Sequence, residues 1–275
     1  MGHSPAMSAA SPQDWAQVPA LALRALRGVL TDIDDTLTRD GAIEPAALSA
    51  LQQLAAAGLP VIAITGRPAG WSETFAQTWP VRSIVAENGA VLLTCTQGTL
   101  QHHFTQDAAT RAANALLLQA CAADVLRQVP GSHLATDSAG RLTDIAVDHS
   151  EHHHLSAEQI AQVVAVMRAH GLTATVSSIH INGWIGTHNK WTAAQWAVPL
   201  LCGVAFAPEE WLYVGDSSND QIMFQHMPLS VGVANIERFM PQLQHKPTYV
   251  TQAERGQGFA EVAAAVLAAK GSEGA

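Results

Sequence analysis

The sequence predicts an α/β protein, a doubly wound, mostly parallel sheet with a smaller α+β unit inserted into it. Short apolar, β-rich runs at 29–33, 59–64 and 211–214 are separated by helical patterns, as in parallel sheets. Each run ends in polar residues, at the strand edge where open α/β sheets bind ligands. After Cys95 two long helical patterns mix with short strands, and the earlier alternation resumes near Lys190.

Residues 1–24 read as a flexible tail, because they lack the charged start and apolar core of a secretory signal. Strand 29–33 leads through an acidic turn and Gly41 to a helix. Pro45 suits its first turn, Leu48, Leu51 and Leu54 repeat at three-residue spacing, and Gly58 ends it. Strand 59–64 runs into Thr65-Gly66-Arg67-Pro68, followed by a helix at 70–78 and a strand at 83–86. Glu87-Asn88-Gly89 turns that strand into another at 90–94. Helices at 107–128 and 156–169, the second closed by Gly171, and strands at 142–147, 172–177 and 179–185 form the insert. Insertions enter at loop tips and often serve as lids. A helix from Lys190 to 201, strand 211–214, a helix opening at Ile222, strands 229–233 and 249–250, and an Ala-rich helix 259–269 complete the chain. The expected division is a tail 1–24, a core 25–94 and 183–275, and a cap 95–182.

The 275 residues carry 23 Asp and Glu against 14 Lys and Arg, a net charge of −9. That argues against nucleic acid as a bulk electrostatic partner. There is neither a basic membrane-surface run nor an apolar run of the roughly 20 residues needed to span a bilayer. Cys95, Cys121 and Cys202 have no ligand spacing. They read as buried small apolar residues in a reducing cytosol, and the expected location is cytoplasmic.

Asp32, Asp34 and Asp35 crowd the end of the first strand. Crowded carboxylates repel and raise one another's pKa unless a cation intervenes, and hard oxygen ligands favour Mg²⁺. Side chains alternate along a strand, so Asp32 and Asp34 share a side unless the chain turns between them. Two carboxylates suit a nucleophile and an acid/base. Alone, the stretch is equally an acidic turn. Thr65-Gly66-Arg67-Pro68 alone is a common turn, Lys190 a surface lysine, and Gly215-Asp216-Ser217-Ser218-Asn219-Asp220 a capped turn.

Together and in this order, these four clusters resemble the haloacid dehalogenase-like hydrolase superfamily over about 25–94 and 183–270. Asp32-Ile33-Asp34-Asp35-Thr36 matches the first motif, Thr65 the second, Lys190 the third and the 215–220 segment the fourth. The insert's position, and Glu87-Asn88-Gly89-Ala90 before it, resemble the type-IIB cap of Cof-like, sucrose-phosphate and mannosyl-3-phosphoglycerate phosphatases and phosphomannomutases. Asp35 departs from the Gly usual in Cof-like members. The resemblance implies a Rossmann-like core. It casts Asp32 as nucleophile and Asp34 as acid/base, with Thr65 and Lys190 completing the catalytic set. Gly66, Arg67 and Asn88 join Thr65 and Lys190 as substrate-binding candidates. Mg²⁺ would be held by Asp32, the Asp34 carbonyl and Asp216, with Asn219 and Asp220 completing or supporting the site.

His102-His103 and His149, His152, His153 and His154 form clusters that suit a transition metal or a pH sensor, or a polar cap loop facing substrate. The last reading is preferred, because three consecutive histidines do not share one face. Trp71 is read as packing. Asn182, His188 and Asn189 are further candidates where the chain re-enters the core.

The expected function is Mg²⁺-dependent hydrolysis of a small phosphorylated metabolite, a sugar phosphate above others, through an aspartyl-phosphate. A phosphomutase on the same site and a non-catalytic sugar-phosphate-binding protein are the alternatives. Product identity separates the first two. A carboxylate at Asp34, which binding alone does not need, argues against the third.

Overall fold

The computed structural model describes residues 11–271. The strands and helices, in chain order, are β1 (Gln13–Asp14), α1 (Ala20–Arg24), β2 (Gly28–Thr31), β3 (Thr38–Arg39), β4 (Ala42–Ile43), α2 (Pro45–Ala56), β5 (Val61–Ile64), α3 (Ala69–Thr78), β6 (Ser83–Ala86), β7 (Val91–Thr96) and β8 (Thr99–Phe104). Then come α4 (Ala108–Gln128), β9 (His133–Leu134), β10 (Asp144–Asp148), α5 (Ala157–Ala169), β11 (Thr173–Val176) and β12 (His180–Trp184). The chain closes with α6 (Lys190–Cys202), β13 (Trp211–Gly215), α7 (Gln221–His226), β14 (Ser230–Gly232), β15 (Tyr249–Val250) and α8 (Arg255–Gly271).

Nine strands form the main sheet in the order β1-β15-β14-β13-β2-β5-β6-β7-β8. All pairs from β1 to β6 are parallel, while β6–β7 and β7–β8 are antiparallel. The expected α/β class is observed. Its apolar runs are buried because helices cover both faces. On one face α2, α3 and α8 pack Leu51, Leu54, Phe259 and Val262 against the sheet; on the other α6 and α7 bring Ala193, Ala197, Val198 and Met223. Strand order reverses between β13 and β2, so their carboxyl ends flank a topological switch point.

A second, antiparallel sheet, β11-β12-β10-β9, packs against α4 and α5 through Cys121, Val125, Val163, Met167 and Ile181. A capping box at Ser156 and Gln159 starts α5.

The expected tail 1–24 needs correction over its described part. The segment Gln13–Asp14 adds a parallel edge strand to β15, Trp15 is buried against Tyr249, and α1 packs on α8. An indole and a few leucines suffice to hold the segment to the sheet edge, which polar composition alone does not reveal. Residues 1–10 lie outside the described residues. Cys121 is buried as expected, but Cys95 is exposed and Cys202 only partly covered. No helix among the described residues is long and apolar enough to cross a membrane.

Candidate active site

Asp32, Asp34, Thr65, Lys190 and Asp216 converge at the carboxyl ends of β2, β5 and β13 and the start of α6. Strand β2 stops at Thr31, before the expected 33. Asp32 N–H still donates to the Val214 carbonyl at 2.9 Å, but the Ile33 carbonyl then accepts from Thr36, Leu37 and Thr38 N–H. That turn breaks the alternation, so the two carboxylates take separate partners. Asp32 Oδ1 accepts from Ile33 N–H at 2.8 Å and Oδ2 lies 2.8 Å from Lys190 Nζ. Asp34 accepts from Arg67 Nε at 2.9 and 3.0 Å.

Lys190 is 2 % exposed and bridges Asp32 to Asp220, whose Oδ1 lies 2.6 Å from Nζ. Asp220 also accepts from the Tyr213 hydroxyl and from Asp216 and Ser217 N–H at 2.9 and 3.0 Å. Its carboxylate therefore anchors both the lysine and the loop after β13. Gly215 makes this possible, since a Cβ there would lie 2.5 Å from Asp220 Cγ. Burial opposes charge on Lys190, yet the flanking Asp220 and Asp32 raise its pKa above the ordinary lysine value.

Asp216 is fully buried. Asn235 Nδ2 donates to its Oδ2 at 3.2 Å, while Oδ1 has no partner. An orphaned buried carboxylate oxygen is costly and calls for a cation. Asp32, Asp216 and Asp220 offer oxygens within 4.8 Å of one another, the only such group of three acidic, His or Cys ligands among the described residues. Burial, with repulsion from Asp220, Asp32 and Asp35, pushes the Asp216 pKa well up. Burial also raises Asp32 to about 7, against the pull of Lys190. An all-oxygen, buried donor set that resists holding its own charge fits a hard divalent cation.

Thr65 Oγ1 accepts from Arg67 N–H at 3.0 Å, and the Thr65 carbonyl accepts from Asn88 N–H at 2.9 Å. Asn88 sits in the left-handed region (φ 54°), buried beside Gly66, with Nδ2 unpartnered. Asn219 Oδ1 is 3.5 Å from Lys190 Nζ and accepts from Ser217 Oγ. The structure thus gathers the expected site residues along one sheet edge.

The second sheet closes over this edge. Arg67, 4 % exposed, pairs with Asp34 and also with Asp137 at 3.1 Å and Glu151 at 2.7 Å, and its guanidinium lies 4.9 Å from the Trp71 ring. His180 Nε2 lies 2.8 Å from Glu151. Arg141 Nη1 and Asn182 Nδ2 donate to the Gly66 carbonyl at 3.0 and 3.2 Å. Glu87, buried in the turn after β6, accepts from Ala69, Leu142 and Thr143 N–H. Gly70 meets Gly140 so closely that a Cβ on Gly70 would lie 2.9 Å from its Cα.

Between the two sheets lies a cavity of about 220 Å³ lined by Asp34, Asp35, Arg67, Glu151, Arg238 and Arg255 among others. A larger cavity of about 650 Å³ under the N-terminal segment is lined mainly by alanines, Trp15 and Leu23 and lies away from these carboxylates.

Sequence reasoning missed Glu87, Asp137, Arg141, Glu151, His180, Tyr213, Asn235, Arg238 and Arg255. Glu151 adjoins the His149–His154 stretch, where Asp148 gathers the N–H groups of residues 150 to 153; His152 lines the cavity, and His153 stacks on His133 at 3.9 Å. Trp71 packs on Phe75 as expected, and Asn189 caps α6.

His188 is buried beside Trp184 with Nε2 unpartnered, and burial lowers its pKa to about 4. The unfolded chain takes a proton near 6.5, so stability present above 6.5 is lost as pH falls towards 4. The loss is about 3 kcal/mol at full span. Thermal unfolding across this window should fall less steeply for His188→Gln than for wild type. Parallel profiles would contradict this reading of His188.

A parallel sheet with carboxylates at its switch point and a second sheet closed over them makes an enclosed acidic α/β site. Residues 29–128 match the family model described as haloacid dehalogenase-like hydrolase. That match spans the first strand-helix units and runs into the insert, and it agrees with the resemblance carried by the motifs at Asp32 and Thr65. A search of curated proteins finds no significant match. Among solved structures, Thermoplasma acidophilum 0175 aligns at 17% identity with a TM-score of 0.67, covering 88% of this chain and 98% of that one. The sucrose-phosphatase from Synechocystis, solved with sucrose and phosphate, aligns at 16% identity with a TM-score of 0.62 over 88% and 98%. The C. albicans trehalose-6-phosphate phosphatase C-terminal domain aligns at 14% identity with a TM-score of 0.63 over 94% and 99%. At these identities the likeness concerns the fold.

Proposed function

We propose that this chain is a Mg²⁺-dependent phosphatase of a small phosphorylated metabolite, a sugar phosphate above others. The supporting observation is the Asp32 carboxylate, braced by Lys190 beside the unpartnered Asp216 oxygen, with a separately held Asp34 nearby. Asp32 and Asp216, with the Asp34 carbonyl, would hold the ion, backed by Asp220 and Asn219. When bound, Mg²⁺ would supply positive charge against the phosphoryl oxygens and keep the carboxylates ionised.

Asp32 attacks phosphorus as the bond to the leaving oxygen breaks, and Asp34 gives that oxygen its proton. Burial raises the Asp34 pKa against the pull of Arg67, which suits a group that must first carry a proton. Asp34 then takes a proton from water, which attacks the aspartyl-phosphate and releases inorganic phosphate and Asp32. Thr65 and the backbone N–H groups after it orient the phosphoryl oxygens, and Lys190 offsets their charge. The second sheet with α4 and α5, which begins after β8 and not at the expected residue 95, would act as the cap, with Glu151 and His152 facing the leaving group and water excluded.

The test is phosphate release from sugar monophosphates and phosphoglycerates, with Mg²⁺ and after chelation. Release should require the metal and return when it is added back. Chelator-insensitive release, or none from any ester by a folded protein, would overturn the proposal.

A further inference from the structure

The cavity beside Asp34 carries a charge arrangement that phosphoryl transfer itself does not require. Asp35 sits at φ 53°, in the left-handed region that few side-chain-bearing residues occupy. Glycine would fit that backbone more easily, yet the Asp35 side chain is tied on both oxygens. Oδ1 accepts from Arg255 Nε at 2.7 Å and Oδ2 from Arg238 Nη2 at 3.1 Å. Asn235 closes the arrangement: its Nδ2 donates to the Asp35 carbonyl at 3.0 Å and its Oδ1 accepts from Arg255 N–H at 2.9 Å.

Asp35 is the one carboxylate within hydrogen-bonding distance of both guanidiniums. Each arginine uses one nitrogen on Asp35, while a guanidinium carries five N–H donors. Their other acidic neighbours are farther off, Asp216 at 3.8 Å from Arg238 and Glu254 at 3.9 Å from Arg255. The other cavity carboxylates have their own partners: Asp34 and Glu151 pair with Arg67, and Glu151 also with His180. Asp40 is exposed at the cavity. Arg238 and Arg255 line the same space as Asp34, the proposed donor of a proton to the leaving oxygen. At about 220 Å³ that space is smaller than the pockets of drug-sized ligands and suits a small group.

We infer that the substrate carries a second anionic group on its leaving alcohol, a carboxylate or another phosphate, bound by Arg238 and Arg255. This rests on the phosphatase reading above. Guanidinium forks match both anions, and in a half-closed cavity such pairs are strong.

Matched probes test it: 3-phosphoglycerate against glycerol 3-phosphate for the carboxylate, and fructose 1,6-bisphosphate against fructose 6-phosphate for the second phosphate. Binding to Asp32→Asn protein with Mg²⁺ is measured by calorimetry, beside turnover by the wild type. In at least one pair the doubly anionic member should bind about tenfold tighter. Arg238→Gln, at a half-exposed position, should bring that ratio towards one, and so should Arg255→Gln. Equal affinities within both pairs, or ratios unchanged in both arginine variants, would overturn the inference. Wild-type turnover without such preference leaves the phosphatase reading standing and this inference refuted. An arginine-dependent preference without turnover of any ester does the reverse.

Discussion

Asp32→Asn should reduce phosphate release by about four orders of magnitude or more while leaving the protein folded. Asparagine has the shape of aspartate, so its oxygen can still accept from Ile33 N–H and its volume still fills the 3 % exposed pocket. It lacks the anionic oxygen that would bond to phosphorus. Stability should move the other way. In the metal-free protein Asp32 is one of three carboxylates with oxygens inside 4.8 Å, and Lys190 is the cation that bridges two of them. Removing one charge relieves that repulsion, so the variant should melt at or above the metal-free wild type at pH 8. Added Mg²⁺ should raise the melting temperature of the wild type more than that of the variant. Phosphate release and thermal unfolding on the same samples decide it. Retained turnover would remove Asp32 as nucleophile, and a collapsed melting temperature would mean that its carboxylate is structural.

Lys190→Met should cost both activity and stability. The ammonium lies 2.8 Å from Asp32 and 2.6 Å from Asp220, with all three side chains nearly inaccessible. Methionine fills much of the space but leaves two buried carboxylates without their counter-charge. Breaking a buried pair this way costs about 3–5 kcal/mol. For a chain of this length that lowers the melting temperature by about 10 °C. The site offers a compensating change, because Asp220 spends its charge on holding Lys190, the Tyr213 hydroxyl and the loop N–H groups. In Lys190→Met with Asp220→Asn, part of the lost stability should return, as interacting sites couple. Additive losses would show that Lys190 and Asp220 do not act as a pair. Activity should stay low in the double variant, since Lys190 also braces Asp32, the proposed nucleophile.

Much of the candidate site was legible in the sequence because its polar clusters each sit at a strand end or a helix start. Asp32, Asp34, Thr65, Lys190 and Asp216 each follow an apolar strand or open a helix, and strand ends of a parallel sheet face one edge. The partners that tune these groups were not legible. Tyr213 sits in a run, Trp211 to Gly215, that reads as ordinary core strand, and nothing local reveals its hydroxyl on Asp220. Glu87 reads as part of a turn, yet its carboxylate ties α3 to the backbone before β10.

The sequence by itself determined the alternating strands and helices and the carboxylate and lysine set. It placed the start of the second unit at residue 95, whereas Cys95 to Phe104 still pair in the main sheet, because a β7–β8 hairpin extends that edge. Apolar periodicity and motif spacing are local properties. Tertiary structure alone decided how that chemistry is held. The turn after Asp32 separates two carboxylates that alternation would have put on one side. Closure of the second sheet brings Asp137 and Glu151 to Arg67 and so to Asp34, with His180 on Glu151. The meeting of Asp35 with Arg238 and Arg255 spans 203 and 220 residues of chain. Such contacts depend on how distant segments pack, and residue type and spacing along one strand or helix carry no record of that.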